Sequence, residues 1–210
     1  RIAKQFAIDF IAICQEKRQE SLDHYEADFN KALQAVSFIQ HDFSFRQFLL
    51  MMKATLRCNY YQEDKLALVI KLNPEAIPVC PKPNPFREMF VYNHSLEGVH
   101  LRFGPIARGG LRFSDRNFDF RREVLLLAQT QRAKNVVIVP NGAKGGFIIK
   151  QNTKPDGETI AQKYQDFITT LLSITDNQLP NGKKERPKAC VLHDNFDPYL
   201  VVAADKGTAT

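Results

Sequence analysis

Short apolar runs alternate along this chain with stretches of helical periodicity, and that alternation restricts the fold more than any other feature. Leu66-Ala67-Leu68-Val69-Ile70-Lys71-Leu72 and Val136-Val137-Ile138-Val139 are β-compatible and nearly free of polar residues, the pattern of strands covered on both faces. Val99, His100, Leu101, Arg102 and Phe103 alternate in the two-residue period of a strand with one buried face. Between and after them, Asp119 to Lys134 and about Glu158 to Ile174 carry apolar residues at helical spacing. Two further apolar runs, Ala189 to Leu192 and Tyr199 to Ala203, continue the series. Strand and helix alternating in this way predict an α/β fold, a mostly parallel sheet flanked by helices.

The first sixty residues differ. Phe6, Ile8, Phe10, Ile11 and Ile13, then Leu33, Val36, Phe38 and Ile39, recur at three- and four-residue spacing with no proline among them, which predicts a helical N-terminal region. His41 to Ser44 reads as a turn, with Ser44 capping a further helix that ends near Asn59. The division expected is therefore a helical region over 1–60 and an α/β domain over 61–210. Pro74, Pro78, Pro81, Pro83 and Pro85 make the stretch from Asn73 to Arg87 an extended loop.

Composition narrows the functional classes. The chain has 210 residues, 44% of them hydrophobic, which suits an ordinary globular protein. Its longest apolar stretches, such as Phe6 to Cys14, fall short of the roughly 20 residues a membrane span needs. The mixed, charged start from Arg1 to Gln5 does not resemble a secretory signal, so the expected location is cytoplasmic, with no membrane association. A start at an arginine and an end at Gly207 to Thr210, just after a strand-like run, suggest a piece of something longer. The net charge of +6 is spread among acids, not gathered on one helix, which argues against a nucleic-acid partner. Cys14, Cys58, Cys80 and Cys190 form no C-x-x-C pair and are expected as reduced thiols, not metal ligands.

Two glycine-rich stretches carry the chemistry. Arg108-Gly109-Gly110-Leu111-Arg112-Phe113 sits between a strand and a helix, where paired glycines predict a tight turn close to a ligand. Pro140-Asn141-Gly142-Ala143-Lys144-Gly145-Gly146 follows the carboxyl end of an apolar run, the place where open α/β sheets bind ligands. Neither is a phosphate-binding P-loop, because Gly145 and Gly146 follow Lys144 where a Ser or Thr would be needed. No G-x-G-x-x-G dinucleotide fingerprint is present.

Taken together, the two stretches and the intervening Lys134 resemble the glutamate dehydrogenase superfamily. Its pattern is a Lys-Gly-Gly-x-Arg turn, a helix ending in Lys, and then Pro-x-Gly-Gly-x-Lys-Gly-Gly. The wording from Gly104 to Arg116 and from Lys134 to Phe147 is similar to the large NAD-specific branch. The resemblance implies oxidative deamination of L-glutamate to 2-oxoglutarate and ammonia, NAD as hydride acceptor, a homo-oligomeric full-length enzyme, and a Rossmann cofactor domain outside this chain. It also implies roles for single residues. Arg108, before the glycine pair Gly109 and Gly110, and Lys134 match the lysines that hold the substrate carboxylates. An arginine at 108 keeps the charge but makes it a planar fork, leaving open which carboxylate it holds. Lys144 matches the catalytic lysine, and Asp205, in Val202-Ala203-Ala204-Asp205, the catalytic aspartate.

The residue types suit that chemistry. A dianionic substrate loses its hydration shell in a closed cleft, and fixed cations replace that shell. Crowded cations disfavour protonation of any one lysine, which fits Lys144 to activate water. The alternative is a small-anion or phosphate-binding module without redox chemistry. The five histidines lie in unlike contexts and are expected in ordinary core or surface roles. Asp115, Arg116, Arg121, Arg122 and Glu123 are expected to cap the helix and form solvated ion pairs, and Ser114 with Asp115 to cap its start.

Overall fold

The structure is a computed structural model that describes residues 18–78, 82–134, 141–205 and 208, with backbone alone over 18–24 and 131–134. Two helices come first, α1 (Arg18–Leu33) and α2 (Ile39–Ala54). They pack through Phe29, Leu33, Leu49 and Met52. The break between them falls at residues 34–38, not at His41 to Ser44 as expected. Ser44 lies inside α2, where its hydroxyl donates back to the Gln40 carbonyl at 2.8 Å. Helix α2 also stops earlier than predicted, because β-branched Thr55 takes an extended ψ of 126°. From there the chain enters β1 (Thr55–Cys58). The apolar pattern proposed for residues 1–17 lies outside the described residues.

After β1 come β2 (Leu68–Leu72), a 3₁₀ turn at Pro74–Ala76, β3 (Arg87–Tyr92), β4 (Leu96–Arg102) and β5 (Gly109–Phe113). Helix α3 (Phe120–Lys134), β6 (Ala143–Ile149) and helix α4 (Gly157–Leu172) follow. The chain closes with the small strands β7 (Asn177–Gln178), β8 (Lys184–Glu185), β9 (Val191–Leu192) and β10 (Val202–Ala204). Strands β7 and β8 pair with each other, and the rest form one eight-stranded sheet in the order β10-β5-β6-β4-β3-β2-β1-β9.

The expectation of a mostly parallel sheet is overturned: the sheet is mixed, and antiparallel neighbours outnumber parallel ones. Only β10 with β5 and β5 with β6 run parallel. The other five pairings are antiparallel. The cause is connectivity. From β1 to β4 no α-helix intervenes, so the chain turns back on itself, and a parallel pairing needs a crossover long enough to return to the starting end. Between β5 and β6, α3 supplies that crossover. The apolar run Val136 to Val139, expected as a buried parallel strand, lies outside the described residues.

Alternation along the strands sends side chains to two cores. Val69, Met89, Val91, Leu96, Leu111 and Phe147 face α4, where Phe167 and Leu171 are fully buried. Burial of each such side chain contributes about 1.5–3 kcal/mol. Gly98 makes room, since a β-carbon there would lie 2.6 Å from the Phe167 ring. On the opposite face Val99, Leu101 and Ile148 pack against Phe120, Val124, Leu125 and Ala128 of α3. Helix α4 is capped by Asp156, whose carboxylate accepts the Thr159 N–H at 2.8 Å.

Candidate active site

The glycine pair expected to form a turn and the one expected just beyond a strand's carboxyl end both lie in strands. Gly109 and Gly110 open β5, and Gly145 and Gly146 lie inside β6. Among the described glycines only Gly182 has a positive φ, so these four are not there for turning. They permit close approach. A β-carbon on Gly109 would run into the Ala143 carbonyl, and one on Gly145 into Leu111. On Gly146 it would sit 2.5 Å from a Val124 methyl. On Gly110 it would lie 2.8 Å from the carboxyl carbon of Asp205. The glycines therefore let β5, β6, β10 and α3 close together around one point.

Lys144 is the second residue of β6, opposite Leu101 of β4. By alternation it shares the α3 face of the sheet with Gly146 and Ile148. This places it near the amino end of its strand, not in a loop beyond a carboxyl end. Asp205 directly follows β10, and its N–H donates to the Leu111 carbonyl at 2.8 Å. The Lys144 Nζ and Asp205 Oδ2 atoms meet at 2.5 Å, with 16% and 35% of their side chains exposed. Residues 61 apart in sequence are thus brought together, and both can still be reached from solvent. Cation crowding was expected around Lys144; the described charge that it meets is a carboxylate.

Arg108 lies just before β5 and bridges to Gly142 in parallel register. The Ala143 N–H donates to the Arg108 carbonyl at 3.0 Å. That hydrogen bond ties the two glycine-rich strands together at their starts. The Arg108 side chain is exposed and makes no ion pair with any described residue. Alternation puts it on the same face as Gly110 and Lys144. Lys134 ends α3 as expected, but its side chain lies outside the described residues.

Among the described residues no His, Cys, Asp or Glu cluster could hold a metal ion, and no helix is long and apolar enough to cross a membrane. Ser114 lies six residues before the first residue of α3; its hydroxyl accepts the Arg116 N–H at 3.1 Å and donates to Glu123 at 2.7 Å in a part-buried bond. Glu123 also faces Arg112 at 3.3 Å. Arg116 pairs with Asp119 on the surface, whereas Arg121 holds the buried Glu88 through two bonds of 2.7 Å. Cys58 and Cys190 are free thiols; burial and the neighbouring Cys58 push Cys190 up to about 11, which keeps it protonated and unreactive.

The model of the family described as "Bacterial NAD-glutamate dehydrogenase, catalytic domain" matches residues 28–210. The chain belongs to this family. It is 51% identical over 190 residues to an NAD-specific glutamate dehydrogenase of Pseudomonas aeruginosa, a match covering 85% of the chain. It is 47% identical over 199 residues to one of Halomonas elongata, covering 90% of the chain. A Mycobacterium tuberculosis relative of the same name is 45% identical over 195 residues, or 85% of the chain. In all three cases the chain spans about 12% of the relative's length.

A second constellation in this family member escaped sequence reasoning. Arg57, Lys71 and Arg102, all buried, face the carboxylates of Asp176, Asp194 and Asp197. Arg57 binds Asp194 through Nε and Asp176 through Nη2, and also donates to the Ile174 and Asn195 carbonyls. Lys71 lies 2.7 Å from Asp194 and 2.8 Å from Asp197. Arg102 binds Asp197 and donates to the Tyr199 carbonyl at 3.0 Å. Burial raises the Asp197 carboxyl, but hydrogen bonds from Arg102 and Lys71 outweigh it and hold the group at about 2. A signal was present: Lys71 interrupts a strand otherwise apolar at its buried positions, Arg102 ends the mostly apolar β4, and a charge buried there needs a partner.

Proposed function

We propose that this chain supplies the substrate-binding and acid–base residues of an enzyme that oxidatively deaminates L-glutamate to 2-oxoglutarate and ammonia. The observation that carries the reading is the pairing of Lys144 with Asp205 on one face of the sheet. A lysine and a carboxylate in hydrogen-bond contact form a unit that can accept a proton at one atom and release it at another. Arg108, exposed on the same face, is a cation available to an anionic ligand, and Lys134 is assigned to the substrate's other carboxylate. A charge-assisted fork from Arg108 to a carboxylate is among the stronger polar contacts a protein makes.

In this mechanism Arg108 and Lys134 fix the two carboxylates and so orient the α-carbon toward Lys144. Once the α-carbon has given up its hydride, Lys144 Nζ takes a proton from the water that adds to the resulting iminium carbon. Asp205 carries a proton between the departing amine and solvent, which its partial exposure allows. NAD, named in the relatives, would accept the hydride. The described residues provide no cradle for a dinucleotide, since both glycine-rich runs lie within strands and not at the start of a helix. We assign the cofactor mainly to residues outside these 210, since the chain spans about 12% of the length of its NAD-specific relatives.

The test is kinetic, in a full-length enzyme of the family carrying this sequence. Lys144→Ala and Asp205→Asn are each expected to lower kcat by at least about a hundredfold, as for removal of a positioned acid–base group. Arg108→Ala and Lys134→Ala are expected to act chiefly on KM for glutamate. Turnover within a few-fold of the parent for both Lys144→Ala and Asp205→Asn would overturn the reading.

A further inference from the structure

The connection that delivers Asp205 has an unusual path. Strands β9 and β10 are consecutive in sequence, yet they lie at opposite edges of the eight-stranded sheet. Seven inter-strand spacings separate them, roughly 34 Å at about 4.8 Å each. From Leu192 to Val202 the chain has ten Cα-to-Cα steps, which reach about 33–36 Å when fully extended. Sheet twist shortens the direct distance somewhat, but the segment 193–201 still crosses the sheet with little slack. It contains no helix and no strand.

This strap is fastened along its length. The His193 N–H donates to the Leu56 carbonyl at 2.7 Å. Asp194 is held by Arg57 and Lys71, and Asp197 by Lys71 and Arg102. The Asp197 N–H binds the Asp176 carboxylate at 2.5 Å, and the Tyr199 carbonyl accepts from Arg102 at 3.0 Å. The anchors follow the order of the sheet: β1, β2, then β4. All sit at one end of it, since Arg57 is in register with Lys71 and Arg102 with Arg87 and Ala143. Beyond Tyr199 the chain is held before Asp205 by the packing of Leu200 and Val202 on the α4-side core and by the three-residue pairing of β10 with β5.

We propose that the buried Arg57, Lys71, Arg102, Asp194 and Asp197 network is a positioning device that sets the register of β10 and thereby presents Asp205 to Lys144. The proposal rests on the assignment of those two residues as the acid–base pair. Register decides everything at this edge, because a slip of one residue along β5 turns Asp205 to the opposite face of the sheet. A three-residue edge strand has few hydrogen bonds of its own to prevent such a slip. A clamped strap with little slack prevents it from outside. Asp197 and Arg102 touch neither Lys144 nor Asp205 in any described contact; they act through the backbone between.

The experiment compares three variants in the full-length enzyme: Asp197→Asn, which weakens the clamp; two glycines inserted between Leu200 and Val201, which leave the clamp intact but slacken the chain beyond it; and Asp205→Asn. Single-turnover rate, KM for glutamate, the pH profile of the rate and the thermal melt are measured for each. Misplacing a reacting group by about 1 Å can cost about a hundredfold in rate. Asp197→Asn and the insertion are therefore each expected to lower the single-turnover rate at least about tenfold, to keep KM within about twofold, and to shift the pH profile toward that of Asp205→Asn. Asp197→Glu, which keeps the charge, is expected to restore part of the rate. If Asp197→Asn fails to fold, the insertion variant decides alone. Strap variants that melt earlier but keep the parent rate and pH profile, while Asp205→Asn is impaired, would overturn the positioning role only. An unimpaired Asp205→Asn would overturn the acid–base assignment and the positioning role with it.

Discussion

Gly110 and Asp205 are packed so closely that a β-carbon on Gly110 would lie 2.9 Å from the β-carbon of Asp205. Its neighbour Gly109 is more tightly constrained, and by backbone: a β-carbon there would lie 1.5 Å from the Ala143 carbonyl oxygen. The two glycines should therefore fail in different ways when given a methyl group. Gly110→Ala meets a side chain on a three-residue edge strand that can shift, so the fold survives while Asp205 is pushed off Lys144. Gly109→Ala meets the start of β6, which is fixed on both sides. The expected result is a kcat loss of about tenfold or more with little change in melting temperature for Gly110→Ala. For Gly109→Ala a destabilisation of about 1–3 kcal/mol is expected. Steady-state kinetics beside thermal melts separate the two, and equal melts for both variants would contradict the packing argument.

His100 gives the fold a dependence on pH. It lies on β4, 2% exposed, and its Nε2 has no hydrogen-bond partner among the described residues. Burial, and then the charge of Arg102, lower its pKa to about 4. The folded state thus binds the proton less readily than the unfolded chain, whose histidine titrates near 6.5. The stability from a neutral His100 is complete above about pH 6.5 and is lost as the pH falls toward about 4, by roughly 3 kcal/mol in all. His100→Leu should leave stability near pH 7 almost unchanged and flatten the decline between pH 6.5 and 4. Urea melts at pH 7, 5.5 and 4.5 check this; an unchanged slope for the variant would assign the decline to other groups.

The sequence made the strands and helices around the site legible because they are periodic. Helices α3 and α4 fall within about two residues of where apolar spacing placed them, as does β2. It misled on the glycines, since a glycine needed for close approach reads the same as one needed for a turn, and only the neighbours Ala143, Asp205, Leu111 and Val124 distinguish the two cases. It misled on strand direction for a related reason. Apolar runs such as Val136 to Val139 read the same for parallel and antiparallel strands, and β1 itself reads as the end of a helix, so the uninterrupted β1 to β4 stretch is not legible from periodicity. The buried charge network could not be assembled at all, because Arg57 and Asp194 are 137 residues apart and periodicity says nothing about which distant carboxylate meets which cation.

Arg57 is the most heavily used cation in that network. Its side chain is 0% exposed, and its three nitrogens serve two carboxylates and two carbonyls. Arg57→Met would leave Asp176 and Asp194 buried without that cation, an effect of about 3–5 kcal/mol. Lysine cannot replace the fork, so Arg57→Lys should recover little. If the loss comes from uncompensated charge, the double variant Arg57→Met with Asp176→Leu should be more stable than Arg57→Met alone. Denaturant melts of the parent, the two singles and the double form the required cycle. Strict additivity would mean that the two residues are not energetically coupled.

Arg108 offers a test of substrate recognition that does not depend on catalysis. Its side chain is exposed and carries no described ion pair, so replacing it removes no described contact and should leave the fold intact. If it holds a carboxylate, Arg108→Ala should weaken 2-oxoglutarate binding by about 2 kcal/mol or more, the range for a charge-assisted pair. Arg108→Lys, which keeps the charge but loses the fork, should lie between the two. Because part of the attraction at an exposed cation is screened, the difference between parent and Arg108→Ala should shrink as salt rises from about 0.05 to 0.5 M. Calorimetric titration of each variant with 2-oxoglutarate, with phosphate as the comparison anion, reads all of these at once. A parent protein that binds phosphate as tightly as 2-oxoglutarate would favour a general anion site at Arg108 over a dicarboxylate site.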